Sequence, residues 1–332
     1  MANDQRLMLL LEAQTRGYAA VIAFLASQIS TLWRSFDKWY DGDLVAAQAA
    51  RAATLTEGAT LTVRQQTRSY LTYVYDQFQD LDFPTDDEIE RLNDEMLDRI
   101  VNPLDEWNRP AEQYRFARST GASDGEAIEI ALNRADELAD LDMELAMRGE
   151  ARRIFQATPK ITGYRRVLHP ELADSKQSCG LCIAASTRVY NKKELLPIHD
   201  HCHCGVMPIV GDEDPGQTFN EADLKQLVEL AGGNDAQALS RVRYKVNEHG
   251  ELGPYLVEQG AKNRSVGKLA KPITRRESIV AQLNSLGESL PRLIERSRKG
   301  EDLTQPIEWQ QDRIRILKSE LGVIDRPKRR RR

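Results

Sequence analysis

All four cysteines of this 332-residue chain fall within 26 residues, as Cys179-x2-Cys182 followed by Cys202-x-Cys204, with His199, His201 and His203 interleaved. A C-x2-C turn presents two thiolates on one side of a tight knuckle, at the separation a tetrahedral ion requires. The second half must supply two more ligands. Along extended backbone Cys202 and Cys204 point one way and His201 and His203 the other, whereas His199 can pair with either cysteine through a turn at Asp200. The expected ligands are therefore Cys179 and Cys182, completed by two from His199, Cys202 and Cys204, with His201 and His203 turned to solvent or supporting the ligands from behind. The ion expected is a structural Zn2+, because four or five good donors leave no coordination position open for chemistry. Disulfides are a weaker reading, since the start Met-Ala-Asn-Asp-Gln-Arg lacks an export signal. A redox C-x-x-C opens a helix after a strand, whereas Gly180-Leu181 reads as loop and the second cluster would have no purpose.

Around that cluster the chain reads as mainly α, with a small zinc-stapled α+β domain. The first 157 residues are helical almost throughout. Leu7, Leu11, Tyr18, Val21, Ile22, Leu25, Ile29, Leu32, Phe36 and Trp39 recur at three-and-four spacing. A second helix runs from about Leu44 to Phe78. Thr85 with Glu88 and Ser123 with Glu126 are S/T-x-x-E capping boxes. The helix opened at Ser123 runs to Phe155, acidic early and basic late (Arg148, Arg152, Arg153), as the helix dipole favours. Short strands follow at Ile161–Leu168, Thr187–Tyr190 and Gly205–Val210, with the metal candidates in the loops between them. A third capping box, Thr218 with Glu221, opens a helix ending at Gly232-Gly233. Asn263 to Thr274 reads as loop, and Ile279–Leu286 and Ile307–Leu321 as helices. Three regions result: a helical 1–122, a zinc-bearing 123–211, and a helical 212–332 with a basic tail.

Charge is distributed unevenly. The net of −5 conceals 19 Lys and Arg against 9 Asp and Glu from Lys262 onward, so the first 261 residues carry −15. The tail, Arg326, Lys328, Arg329, Arg330, Arg331 and Arg332, reads as a disordered cationic segment suited to nucleic-acid phosphates. Gly17 to Trp33 is uncharged for 17 residues, short of the roughly 20 that a membrane span needs, so a buried helix is expected and no membrane partner.

The central motifs carry a resemblance. Tyr164-Arg165-Arg166-Val167-Leu168-His169-Pro170, Ser178-Cys179-Gly180-Leu181-Cys182, Arg188-Val189-Tyr190, Leu196-Pro197-Ile198-His199, Cys202-His203-Cys204 and Met207-Pro208 resemble the phage Mu F-type minor head proteins. The form is that found in tailed phages of actinobacteria. The family signature is a C-x2-C, a short strand, then Pro-x-His-x-x-Cys-x-Cys with proline soon after. The match runs from Gly163 to Pro208; elsewhere the likeness is architectural. The family carries Arg between its last two cysteines, where this chain has His203. The resemblance implies a minor capsid protein present in few copies in the virion, in the head interior or at the portal vertex, and in the host cytoplasm during assembly. Its implied partners are the portal protein, the major capsid protein and packaged double-stranded DNA, with no small-molecule substrate.

Enzyme readings are weaker. H-E-x-x-H and G-x4-G-K-[ST] are absent. Asp86/Asp87 and Asp212/Glu213 lie in a capping site and a linker, where solvated charge suffices. No activated nucleophile can be named. The alternatives kept are a zinc-stapled nucleic-acid-binding protein and a capsid-maturation hydrolase.

Overall fold

The computed structural model describes residues 2–92, 102–169, 180–196, 204–221, 225, 244–249, 253–258 and 275–322. Three long helices form the body: α1 (Ala2–Arg34), α2 (Gly42–Tyr75) and α6 (Asp124–Ala157). Apolar spacing dictates the packing. Leu7, Leu11, Tyr18, Leu25, Ile29 and Trp33 form the buried stripe of α1. Alanines at 127, 131, 135, 139, 146 and 151 give α6 a thin buried face against its neighbours. Paired contacts fix the directions. Gly17 lies beside Gln66, and Gln48 donates to the Leu32 carbonyl, so α1 and α2 are antiparallel. Arg68 meets Glu150 and the Tyr75 hydroxyl meets Thr158, so α2 and α6 run parallel. Among the described helices α1 alone is long and apolar enough to cross a membrane; one stripe of it is core, and 22% of its most apolar window is buried.

Both expected capping boxes are present. Thr85 caps the short α3 (Asp86–Glu90) and Ser123 caps α6, each with its glutamate reaching back to the cap amide. Asn102 caps α4 (Pro103–Trp107), and α5 (Arg109–Thr120) leads to α6 through Gly121, whose φ of 121° suits glycine. Stacked Trp33, Trp39 and Tyr114 join α1, the α1–α2 turn and α5, with ring centroids 5.7 and 4.4 Å apart. The last turn of α6 holds no basic residue. Arg148 and Arg152 instead bond to loop carbonyls, which are tertiary contacts, while Arg153 pairs with Glu150 one turn back on the same helix.

At the end where α1 begins and α2 and α6 finish sits a three-stranded antiparallel sheet in the order β2–β1–β3. Its strands are β1 (Ile161–Val167), β2 (Val189–Tyr190) and β3 (Gly205–Val210). All three fall within the expected spans, with β2 reduced to Val189–Tyr190 and β1 ending at Val167. β1 is central, pairing Tyr164 with Tyr190 and Arg166 with Val206. Gly163 permits the β2 crossing: a Cβ there would lie 2.8 Å from the Tyr190 carbonyl oxygen. One core runs without interruption from Leu7 to Met207 and crosses residue 122.

Two corrections concern helix starts. The helix α7 (Gly180–Ser186) includes Gly180 and Leu181, which the sequence reading put in a loop. Thr218 lies inside α8 (Pro215–Phe219), whose N-cap is Asp214 accepting from the Gln217 amide at 3.1 Å. Pro215 at the first helical position favours this short helix, which ends at Phe219 with Asn220 as its C-cap; Glu221 and Lys225 beyond it are again helical, as expected of that stretch. The Gly232-Gly233 stop and the 263–274 loop lie outside the described residues. A hairpin of β4 (Tyr244–His249) and β5 (Gly253–Glu258) lies against α7 and was not expected from sequence. The chain closes with α9 (Arg275–Arg298) and α10 (Thr304–Glu320), a helical pair longer than its sequence signals and packed on α5.

Candidate metal centre

β1 places Arg165 and Arg166 on opposite faces, as consecutive strand residues must be. Arg165 grips Asp214 through Nε (3.0 and 2.8 Å) and Nη2 (2.6 Å), and donates from Nη1 to the Ser186 carbonyl at 3.0 Å. One buried guanidinium thereby ties the central strand to the end of α7 and the cap of α8. Arg166 is fully buried and donates from Nη1 to the Cys182 sulfur at 3.5 Å. Beyond it the strand is extended by a side chain: Asn220 donates to the Arg166 carbonyl at 2.7 Å and accepts from the Leu168 amide at 3.0 Å. That amide pair substitutes for a neighbouring strand and satisfies backbone groups that burial would otherwise strand.

Cys182 in α7 and Cys204 just before β3 are 22 residues apart in sequence, yet both are buried in one small apolar cluster with Leu141, Leu145, Leu168, Ile183 and Leu195. Neither is in a disulfide. The structure thus brings together the two described members of the expected ligand set. Cys179, His199 and Cys202, with His201 and His203, lie outside the described residues. Among the described residues no group of three His, Cys, Asp or Glu gathers to hold a metal. The fit to a thiolate-bound ion rests on the shared burial of Cys182 and Cys204 and on the guanidinium at Cys182, since N–H donors to sulfur offset thiolate charge.

The approach to the second ligand half is anchored. Arg152 donates to the Lys193 carbonyl at 2.9 Å, Tyr164 to the Glu194 carbonyl at 2.7 Å, and the buried Arg148 to the Leu196 carbonyl at 2.6 Å. Three donors from α6 and β1 therefore hold the segment that leads directly into Pro197-Ile198-His199. Burial pushes the Tyr164 phenol well above its ordinary range, keeping it a donor. On the other side, His169 is buried with Nε2 3.0 Å from the Thr15 hydroxyl, and a Cβ on Gly205 would sit 3.1 Å from that ring nitrogen. His169 therefore ties the end of the sheet to α1.

Sequence reasoning missed Arg148, Arg165 and Arg166 as supports. It also missed a buried charged stripe on α6, Asp140, Glu144 and Arg148, adjoining Leu141 and Leu145 of the cysteine cluster. The signal was there in the four-residue spacing, which puts these charges on one helix face.

The placement of α7 removes one argument against a redox pair, because Cys182 does sit in a helix that follows a strand. The other argument stands: Cys204 shares the cluster, and a two-cysteine redox pair has no use for it. Gly121-Ala122-Ser123-Asp124-Gly125 has the letters of a G-x-S-x-G nucleophile elbow. That motif needs a strand before the serine. Here α5 precedes it, and Ser123 caps α6 with its hydroxyl donating to Glu126 at 2.8 Å. Asp86 is paired with Arg68. The basic tail, Arg326 to Arg332, lies outside the described residues. Comparison with protein-family models, with curated proteins and with solved structures finds no match to this chain.

Proposed function

We propose that this chain is a structural minor head protein of a tailed phage, of the Mu F type, whose central domain is stapled by one zinc ion. The observation that carries the reading is the convergence of Cys182 and Cys204 in one buried cluster backed by Arg166, within the segment whose motifs resemble that family. Cys179 and Cys182, with two of His199, Cys202 and Cys204, would hold the ion. Zinc supplies cross-linking here rather than Lewis-acid chemistry, because a four-ligand set leaves no position for substrate. The chain's own residues then serve to position the ligands: Arg166 at the first pair, Arg148 at the entry to the second. In this role the protein associates with the portal vertex, meets portal and major capsid proteins, and touches packaged DNA through its cationic end.

Mass spectrometry of purified particles tests the assignment. The protein should co-purify with assembled heads at low copy number, and its absence from particles would overturn it. A second reading, a zinc-stapled nucleic-acid-binding protein outside any virion, is favoured by the net +10 of the last 71 residues. Salt-sensitive DNA binding without particle association would select it.

A further inference from the structure

A wide cleft separates α5 and the start of α2 from the α9–α10 pair, with a volume of about 740 Å³. Its floor and walls are set by two arginines. Arg115 on α5 lies over the Trp309 ring at 4.8 Å and donates to the Trp39 carbonyl at 2.8 Å. Arg313 on α10 donates to the side-chain oxygen of Gln282 at 3.1 Å. Among the described residues neither forms an ion pair, whereas Arg68, Arg118, Arg165 and Arg296 each face a carboxylate within 4 Å. Burial, joined by the like charge of Arg313, lowers the pKa of Arg115 despite the opposing pull of Glu112. Two guanidiniums held in one cleft, neither with a carboxylate at ion-pair distance among the described residues, can still take a carboxylate or another oxyanion.

The rest of the lining narrows the occupant. Phe116 on α5 and Ile316 on α10 line the cleft and are 58% and 51% exposed, large apolar side chains left in water by the fold. Glu112 and Asp312 line it too, and their charge disfavours a continuous polyanion such as a nucleic-acid backbone. We infer that the cleft receives a peptide segment of a partner protein, in which an acidic side chain flanked by apolar ones reaches Arg115 and Arg313 while its neighbours cover Phe116 and Ile316. Apolar contacts then supply the affinity and the charge pair sets the register. It is independent of the zinc and head-protein readings.

The full-length chain should be immobilised and used to select binders from a random dodecapeptide library, with the R115Q/R313Q double variant as comparison. Recovered peptides should be enriched in Asp or Glu beside Leu, Ile or Phe, and should bind the double variant at least ten-fold more weakly. Replacing their acidic residue by its amide should produce the same loss. Because Arg115 also holds the Trp39 carbonyl, R313Q alone serves as the second variant. Among the described residues Arg313 bonds the Gln282 amide alone, so its loss should leave the unfolding midpoint unchanged while still weakening binding. Failure to recover binders, binders without acidic enrichment, or equal affinity for both variants and wild type would overturn the proposal. So would displacement of the peptides by a short DNA duplex that itself requires Arg115 and Arg313, which would make the cleft a phosphate site.

Discussion

Arg166 and Cys182 meet in the protein interior, the guanidinium Nη1 3.5 Å from the sulfur, with Arg166 fully buried and Cys182 nearly so. A guanidinium N–H donated to sulfur favours a thiolate ligand, because the donor offsets part of the charge on the sulfur. Supporting residues of this kind alter metal affinity about 10–100-fold. Arg166→Gln should therefore retain one zinc per chain at saturating metal but lose it to a colorimetric chelator at 10–100-fold lower chelator concentration. Unchanged competition would limit Arg166 to packing, and absence of zinc from the wild-type chain would remove the metal reading itself.

Metal content gives a direct check on the ligand set. Purified protein should hold about one zinc, as one four-ligand site requires. Cys182→Ser and Cys204→Ser should each abolish tight binding and loosen β1, α7 and β3, while α1, α2 and α6 keep their helicity. Acid or chelator should have the same local effect, since thiolate ligands must be deprotonated to bind. Metal analysis that finds no transition ion would sink the proposal.

The Arg165–Asp214 pair makes a separate prediction about the sheet. Asp214→Asn keeps the shape but leaves the guanidinium without its charge partner. Removing one member of a fully buried pair costs about 3–5 kcal/mol; with Asp214 only part-buried, about 2–4 kcal/mol is expected. Denaturant unfolding should show a loss in that range, with zinc content unchanged below the transition. A loss under about 1 kcal/mol, the level of an exposed pair, would mean that Asp214 is not clamping β1 to α8.

Alkaline pH should unfold the protein early. Burial raises the phenol of Tyr40 to about 12 and those of Tyr70, Tyr75, Tyr114 and Tyr164 beyond it. In the unfolded chain these groups ionise near 10. Above that pH the unfolded state binds fewer protons than the folded one, so stability falls as pH rises through this window and is fully present below it. Absorbance at 295 nm should show these tyrosines ionising together with loss of helical circular dichroism. Five phenols titrating freely near pH 10 in a still-folded protein would contradict the buried placement.

The cationic end should govern DNA contact if the chain touches DNA at all. Log affinity falls by about 0.9 per contacted phosphate per unit of log salt. Deleting Arg326–Arg332 should flatten that slope by about four to six contacts' worth while leaving zinc content intact, and no sequence preference should be found. An unchanged slope would move attention to Lys262–Arg276.

Local codes in the sequence determined the elements. Three-and-four apolar spacing marks α1 and α2, the capping boxes at Thr85 and Ser123 mark α3 and α6, and the β-branched run at Ile161 marks β1. Each is a short-range effect of backbone geometry and first-turn amides, readable without knowing what lies across the core. The same codes misled where a stronger local competitor stood nearby, as Asp214 with Pro215 did against Thr218. Chemistry-bearing residue types also show in the sequence, because cysteines at metal spacing are rare enough to be informative alone. What only the tertiary structure decided is which charges are buried and what they face. Arg165 and Arg166 are adjacent letters, yet one clamps a carboxylate and the other a sulfur, because strand alternation sends them to opposite faces whose neighbours come from Ser186, Asp214 and Cys182. Arg148 reads as a residue placed for the helix dipole until the loop at Leu196 folds over it. The cleft between Arg115 and Arg313 joins residues 198 positions apart, and no periodicity within either helix encodes that they share a space.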